Sequence, residues 1–145
     1  MSELQSELQS ELRVELKIQK GIREYEDDLV QKIEAAFQQK RGDLKPSQYQ
    51  NLVQVSLSTE SSEVIKNFLR YQVGREDKWG QGNSSLAEAI ISHIQTDLAT
   101  QAKTIAETAG DVSKVKSVHI ELIRRYLGYG KRHLTFLNPE KKHPN

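Results

Sequence analysis

The side chains of this sequence best placed to do chemistry are cations. Arg124, Arg125, Lys131 and Arg132 recur around Gly128 at spacings of three, four and seven, which sets them along one helical flank beside Tyr126 and Tyr129. A second group, Lys66, Arg70, Arg75 and Lys78, follows the polar face of another helix into a loop carrying Trp79, with Tyr71 on the same side. Arginines and lysines interleaved with aromatic rings are the means by which a protein holds a sugar-phosphate backbone and stacks on bases. Plainer readings stand beside this one. Glu76 and Asp77 dilute the second group, Trp79 is equally well explained as a loop anchor folded onto the core, and the arginines of the first group fit an ordinary solvated face. Gly128 and Gly130 each cost a helix roughly 1 kcal/mol relative to Ala. Two such residues point to a phosphate chain or a partner helix approaching the backbone closely, or else to a kink.

Other chemistries find little to work with. There is no Cys, so disulfides, thiolate metal sites and thiol nucleophiles are excluded. His93 and His119 fall on or near apolar helix faces and read as hydrogen-bonded core or boundary residues; His133 could join the basic flank, and His143 lies in the tail. None is spaced as a metal ligand with another His or a carboxylate, beyond the weak signal of His119-Ile120-Glu121. Gly80-Gln81-Gly82 and Gly128-Tyr129-Gly130-Lys131 imitate phosphate loops, but neither follows a strand nor continues into the required motif. Glu24, Glu26, Asp27 and Asp28 make an acidic segment best read as a solvated helix face. The expectation is no catalytic residue, no metal and no cofactor.

Across 145 residues, 21 Lys+Arg face 20 Asp+Glu, a formal charge of +1, so any electrostatic role must come from local clustering. Residues 1–41 carry a balance of −2, residues 42–110 again −2, and residues 111–145 +5, so the positive excess sits in the last helix and tail. One domain is expected at this length, burying about 70% of the unfolded surface. No basic start, apolar leader or stretch of about 20 apolar residues is present, which predicts a cytoplasmic protein without a membrane partner.

The elements that must position these residues are helices. The three prolines lie at 46, 139 and 144. Residues 2–18 repeat S-E-L-Q, with Leu4, Leu8, Leu12 and Leu16 forming a stripe that winds by about 40° per repeat. Ile22, Tyr25, Leu29, Val30, Ile33 and Phe37 predict a helix stopped at Gly42. Pro46 opens another, with Tyr49, Leu52, Val53 and Leu57 inward. Val64, Ile65, Phe68, Leu69 and Val73 define a helix to about Gly74, and residues 75–84 form the longest internal loop. Leu86, Ile90, Ile94, Leu98, Ala102 and Ile105 predict one long helix closing at Gly110. Asp111 caps the last, with Val115, Val118, Leu122, Tyr126, Tyr129, His133 and Phe136 or Leu137 inward. The predicted fold is an all-α bundle of five or six helices: a low-complexity N-terminal helix at 1–20 that projects or frays, a helical domain at 21–138 and a disordered tail at 139–145.

Two stretches resemble the small helical subunit of type III CRISPR effector complexes. The first is Asp43-Leu44-Lys45-Pro46-Ser47-Gln48-Tyr49-Gln50-Asn51-Leu52, where turn-forming residues and Ser-Gln lead into a helix; the second is Phe68-Leu69-Arg70-Tyr71-Gln72-Val73-Gly74-Arg75-Glu76, an aromatic and small-residue run ending in Gly-Arg. The resemblance covers residues 42 to 80 and implies a non-catalytic subunit lining a groove for crRNA and target RNA, with other effector subunits as partners. It carries over Arg70 and Arg75 alone. Lys66, Lys78, Arg124, Arg125, Lys131 and Arg132 rest on charge clustering. The S-E-L-Q repeat departs from the family pattern, and the chain is less basic than a protein lining RNA.

The leading expectation is therefore RNA-backbone binding that does not read sequence. The alternative is a helical protein-interaction or self-assembly module without nucleic acid, using the Leu4–Leu16 stripe and the Gly128/Gly130 helix as docking surfaces. A helix-turn-helix at residues 46–73 is disfavoured by the Ser58–Ser62 joint, which lacks a compact Gly-containing turn. The RNA expectation leans on one condition: cations from distant parts of the chain must converge into a continuous surface.

Overall fold

The computed structural model describes residues 2–139. Seven α-helices succeed one another: α1 Glu3–Glu24, α2 Glu26–Ala36, α3 Pro46–Ser58, α4 Ser62–Arg75, α5 Leu86–Gln95, α6 Asp97–Ala109 and α7 Val115–Leu137. Among the described residues there is no strand, only an isolated bridge between Lys40 and Ser85. This is an all-α bundle, as the hydrophobic spacing predicts. It has more segments than five or six because the helix expected from Leu86 to Gly110 breaks at Thr96. That residue's hydroxyl donates 2.6 Å back to the Ser92 carbonyl, the local competition by which Thr bends helices. No described helix is long and apolar enough to cross a membrane.

The first break also moves. Helix α1 runs through Gly21 and ends at Tyr25, so the boundary expected between residues 20 and 21 falls inside a helix whose Ile18 and Ile22 are both core residues. Gly21 is a contact rather than a stop: a Cβ there would sit 3.0 Å from the Ile105 side chain of α6. Helix α2 ends at Ala36, short of Gly42, because residues 37–45 are drawn into pairing with the loop after α4. Lys40 N donates to the Ser84 carbonyl (2.9 Å), Leu86 N to the Lys40 carbonyl (2.9 Å) and Gly42 N to the Lys78 carbonyl (3.0 Å). At Gly80, with φ +78°, the Lys40 carbonyl occupies the space a Cβ would need.

Helix α7 is surrounded, packing on α6, α2 and α3. Its buried set is accordingly wider than a single-stripe prediction: Val118, Ile120, Leu122, Ile123, Tyr126, Leu127, Gly130 and Leu134. Tyr129 and His133 are half-buried, whereas Phe136, expected inward with Leu137 as the alternative, is 80% exposed and Leu137 is exposed as well. In α3 the expected Leu57 is also exposed and Ser56 buried instead; in α4 Val64 is exposed. The expected tail at 139–145 lies outside the described residues apart from Pro139.

The core closes around aromatic rings. Trp79 is buried and stacks on Tyr49 at 5.8 Å between centroids, while Phe37 lies 5.7 Å from Tyr49 on another side. Trp79 is thus the loop anchor, which removes it as a stacking platform for a base. The Tyr49 hydroxyl donates 2.8 Å to the Leu127 carbonyl and passes the bare Cα of Gly130, where a Cβ would collide with that hydroxyl and with Ile33. Gly128 has no such neighbour. The close approach expected at both glycines occurs at Gly130 alone, and the approaching group is the protein's own core.

These two glycines make a matched test. Gly130→Ala should destabilise by about 1–3 kcal/mol through overpacking, whereas Gly128→Ala should stabilise by about 0.5–1 kcal/mol through helix propensity. Urea unfolding midpoints moving in opposite directions would show it, and equal shifts would contradict the packing described.

Candidate nucleic-acid interface

The eight cations divide into three sets. Arg124, Arg125 and Lys66 are held by the protein itself. Arg124 Nε donates 2.8 Å to the Ser56 carbonyl and Nη2 donates 3.1 Å to the Thr59 carbonyl and 3.1 Å to Glu60. It thereby satisfies carbonyls left unpaired at the end of α3. Arg125 lies between Glu26 of α2 and Glu121 of α7, both at 3.1 Å. Lys66 is buried along its stem and meets Glu63 at 2.6 Å; its ammonium holds the Glu63 carboxyl below the usual range. These three are structural ion pairs, contrary to their expected place on an RNA surface. For Arg124 and Arg125 the reason is tertiary, since Glu60 and Glu26 come from segments distant in sequence; Lys66 is taken up locally by Glu63, three residues before it on α4.

Lys131 and Arg132 form the second set, near the end of α7. Lys131 Nζ donates 3.0 Å to Gln50 of α3. Arg132 is exposed and borders a surface depression with Val30, Glu34, Tyr129, His133 and Phe136. The third set belongs to α4 and its loop. Arg70 and Arg75 are exposed, and among the described residues no carboxylate lies within ion-pair distance of either. The Arg75 guanidinium lies over the Tyr71 ring, 5.7 Å from its centroid, and Tyr71 is itself 58% exposed. Lys78 is half-buried.

Arg70 borders Gly82, Asn83, Ala87 and Glu88, none of which lines the depression beside Arg132. Of the eight cations expected on one continuous surface, Lys66, Arg124 and Arg125 are instead taken up in ion pairs. What survives within one of the two segments that carry the family resemblance is Arg75 over the exposed Tyr71 ring, with Arg70 exposed about 140° further round the same helix. A guanidinium on an exposed aromatic face offers both parts of a nucleotide contact: charge for a phosphate and a π-surface for a base.

Arg41 escaped the sequence reading, where Lys40-Arg41 served only to mark a helix end. Its guanidinium sits 5.8 Å over Phe37, and its Nε is buried without a hydrogen-bond partner. The dibasic pair preceding Gly42 was the available signal.

His93 and His119 are structural. His93 Nδ1 shares a 2.7 Å hydrogen bond with the Tyr126 hydroxyl, and His119 Nε2 one of 2.7 Å with the Ile94 carbonyl. Burial holds both rings below the ordinary imidazole pKa. Asp97 and Asp28 oppose this at His93 while Lys32 adds to it; the Ile94 hydrogen bond opposes it at His119 while Lys66 adds to it. No group of three His, Asp or Glu among the described residues is arranged to hold a metal; the acidic segment is engaged elsewhere, Asp28 with Lys32 and Gln101 and Glu26 with Arg125.

Removing the held cations should damage the fold. Arg124→Ala should cost about 1–2 kcal/mol by orphaning two carbonyls, and Arg124→Lys should not restore it, because one ammonium cannot replace the fork. Arg70→Ala should stay within about 0.5 kcal/mol; thermal or urea unfolding compares them. For the histidines, the folded chain binds fewer protons than the unfolded chain. Stability is full above the ordinary His pKa of 6.5 and is lost as pH falls through that value toward the depressed ones. Melting temperature should drop on acidification across this window, and the slope should be shallower for His93→Gln. An unchanged slope would place the proton uptake elsewhere.

No family model, curated protein or solved structure matches this chain, and the chemistry of the α4 surface stands on its own residues.

Proposed function

We propose that this chain is a non-catalytic, RNA-backbone-binding subunit of a cytoplasmic crRNA-guided ribonucleoprotein of the type III CRISPR kind, with crRNA, target RNA and other effector subunits as its partners. The converging cationic surface on which the sequence expectation leaned does not support it, since Lys66, Arg124 and Arg125 are taken up by glutamates; a narrower observation on α4 does. Arg70 and Arg75, the two positions the resemblance supplies, are both exposed with no carboxylate at ion-pair distance, and an exposed tyrosine lies between them in sequence and beneath Arg75 in space. The site is smaller than the sequence suggested: Arg70, Tyr71 and Arg75, with Lys78 at its edge. Lys66, Arg124 and Arg125 no longer belong to it, and Lys131 and Arg132 lie on α7. Two guanidiniums neutralise about two phosphates, a weak contact for one subunit and a sufficient one where base pairing supplies specificity.

The alternative, an interaction module that binds no RNA, is favoured by a different observation: the leucines of α1 are exposed although the bundle offers a core. RNA titrations separate the two. Anisotropy of labelled single-stranded RNA should weaken steeply with salt, and the double variant Arg70→Ala/Arg75→Ala should make the log-log slope shallower by about 1.4, at about 0.7 per phosphate contact on a single strand. Tyr71→Ala should lower affinity by about 1–3 kcal/mol without changing that slope. Arg132→Ala serves as the control and should leave both unaltered. Salt-insensitive binding, or a slope unmoved by the double variant, would overturn the RNA reading.

A further inference from the structure

Helix α1 leaves the bundle half covered. Leu4, Leu8, Leu12 and Leu16 are 65, 56, 59 and 59% exposed, and every residue from 2 to 13 is exposed. Only from Val14 and Ile18 onward does the helix join the core, packing there on α6. The N-terminal turns are well made, with a Ser2 capping box closed by Gln5 and an acidic first turn. Yet a helical stretch of about 12 residues without packing is marginal in water, and among the described residues the leucines that would anchor it stay more than half exposed, Leu8 and Leu12 lining an open groove beside Gly110 and Lys114.

Leucines four residues apart form one of the ridges through which helices interlock with one another. The two flanks of this ridge differ in sign. Glu3, Glu7, Glu11 and Glu15 immediately precede the leucines; Gln5, Gln9, Arg13 and Lys17 immediately follow them. When two such helices meet with the same chain direction, the preceding flank of one faces the following flank of the other. Glu11 and Glu15 then meet Arg13 and Lys17, twice over by symmetry. Opposed directions would set glutamates against glutamates. One helix thus carries both halves of a charge code of the kind that fixes partner and orientation in paired helices. We propose that the stripe is covered by a second copy of this chain, the two α1 helices crossing in the same direction over Leu8 and Leu12. The inference does not depend on RNA binding, since it uses neither Arg70 nor Arg75.

Sedimentation velocity of the full chain over the micromolar range tests it. A mass twice that of one chain is expected, reverting to one with Leu8→Glu/Leu12→Glu. Because those leucines lie outside the core, the variant should keep the wild-type melting transition of the bundle. Glu11→Lys/Glu15→Lys and Arg13→Glu/Lys17→Glu should each dimerise about tenfold more weakly than wild type, and an equimolar mixture of the two should recover the lost affinity. A chain monomeric at every concentration, or a mass unaffected by the leucine variant, would overturn the proposal. Reversal variants that assemble as well as wild type would overturn the shared direction.

Discussion

Tyr49 reaches from α3 to the backbone of α7 at the place where Gly130 has no side chain, and most of the molecule is arranged around that approach. Its hydroxyl closes on the Leu127 carbonyl, its ring receives Trp79 on one side and Phe37 on another, and all three rings are excluded from water. Packing at this density tolerates no added methyl. The contact therefore sets how closely α3 lies on α7, and through Trp79 it fastens the loop that follows α4. The exposed face of α4 is held in place from behind by residues that never touch solvent.

Charge is distributed by the same packing. The cations that look most like a binding surface along the chain, on α7, sit where α2 and α3 press from either side, and α2 brings Glu26 and the connection after α3 brings Glu60 against them. Arg124 works as a bracket on the end of α3 and Arg125 as a link between α2 and α7. On α4, Arg70 and Arg75 have no carboxylate at ion-pair distance, although Glu88 of α5 borders the same depression as Arg70. A cationic run is a binding surface only where packing leaves it unmatched.

Two outward surfaces thus remain with no role in holding the bundle: the arginine–tyrosine face of α4 and the leucine ridge of α1. They differ in physical character. The first attracts anions over a range set by ionic strength; the second is driven by apolar area removed from water.

The all-helical class, the absence of thiol chemistry, the structural roles of His93 and His119, the long loop after α4 and the exposed tendency of the N-terminal repeat were all legible in residue types and spacing, because periodicity and backbone propensity are local. Local reading also placed Arg70 and Arg75 on the polar side of α4, where both are exposed. It misplaced the end of α2, the break at Thr96, the inner face of α7 and Leu57, and it grouped eight cations where packing draws Arg124 and Arg125 into ion pairs. Those outcomes turn on which segments become neighbours: three helices around α7 widen its buried face, the Lys40 segment pairs with a loop more than forty residues away, and two glutamates distant in sequence take up the arginines. The sequence determined which segments become helices and which residues carry charge. Tertiary packing alone decided which of those charges meet a partner, because the partner's distance in space bears no relation to its distance along the chain.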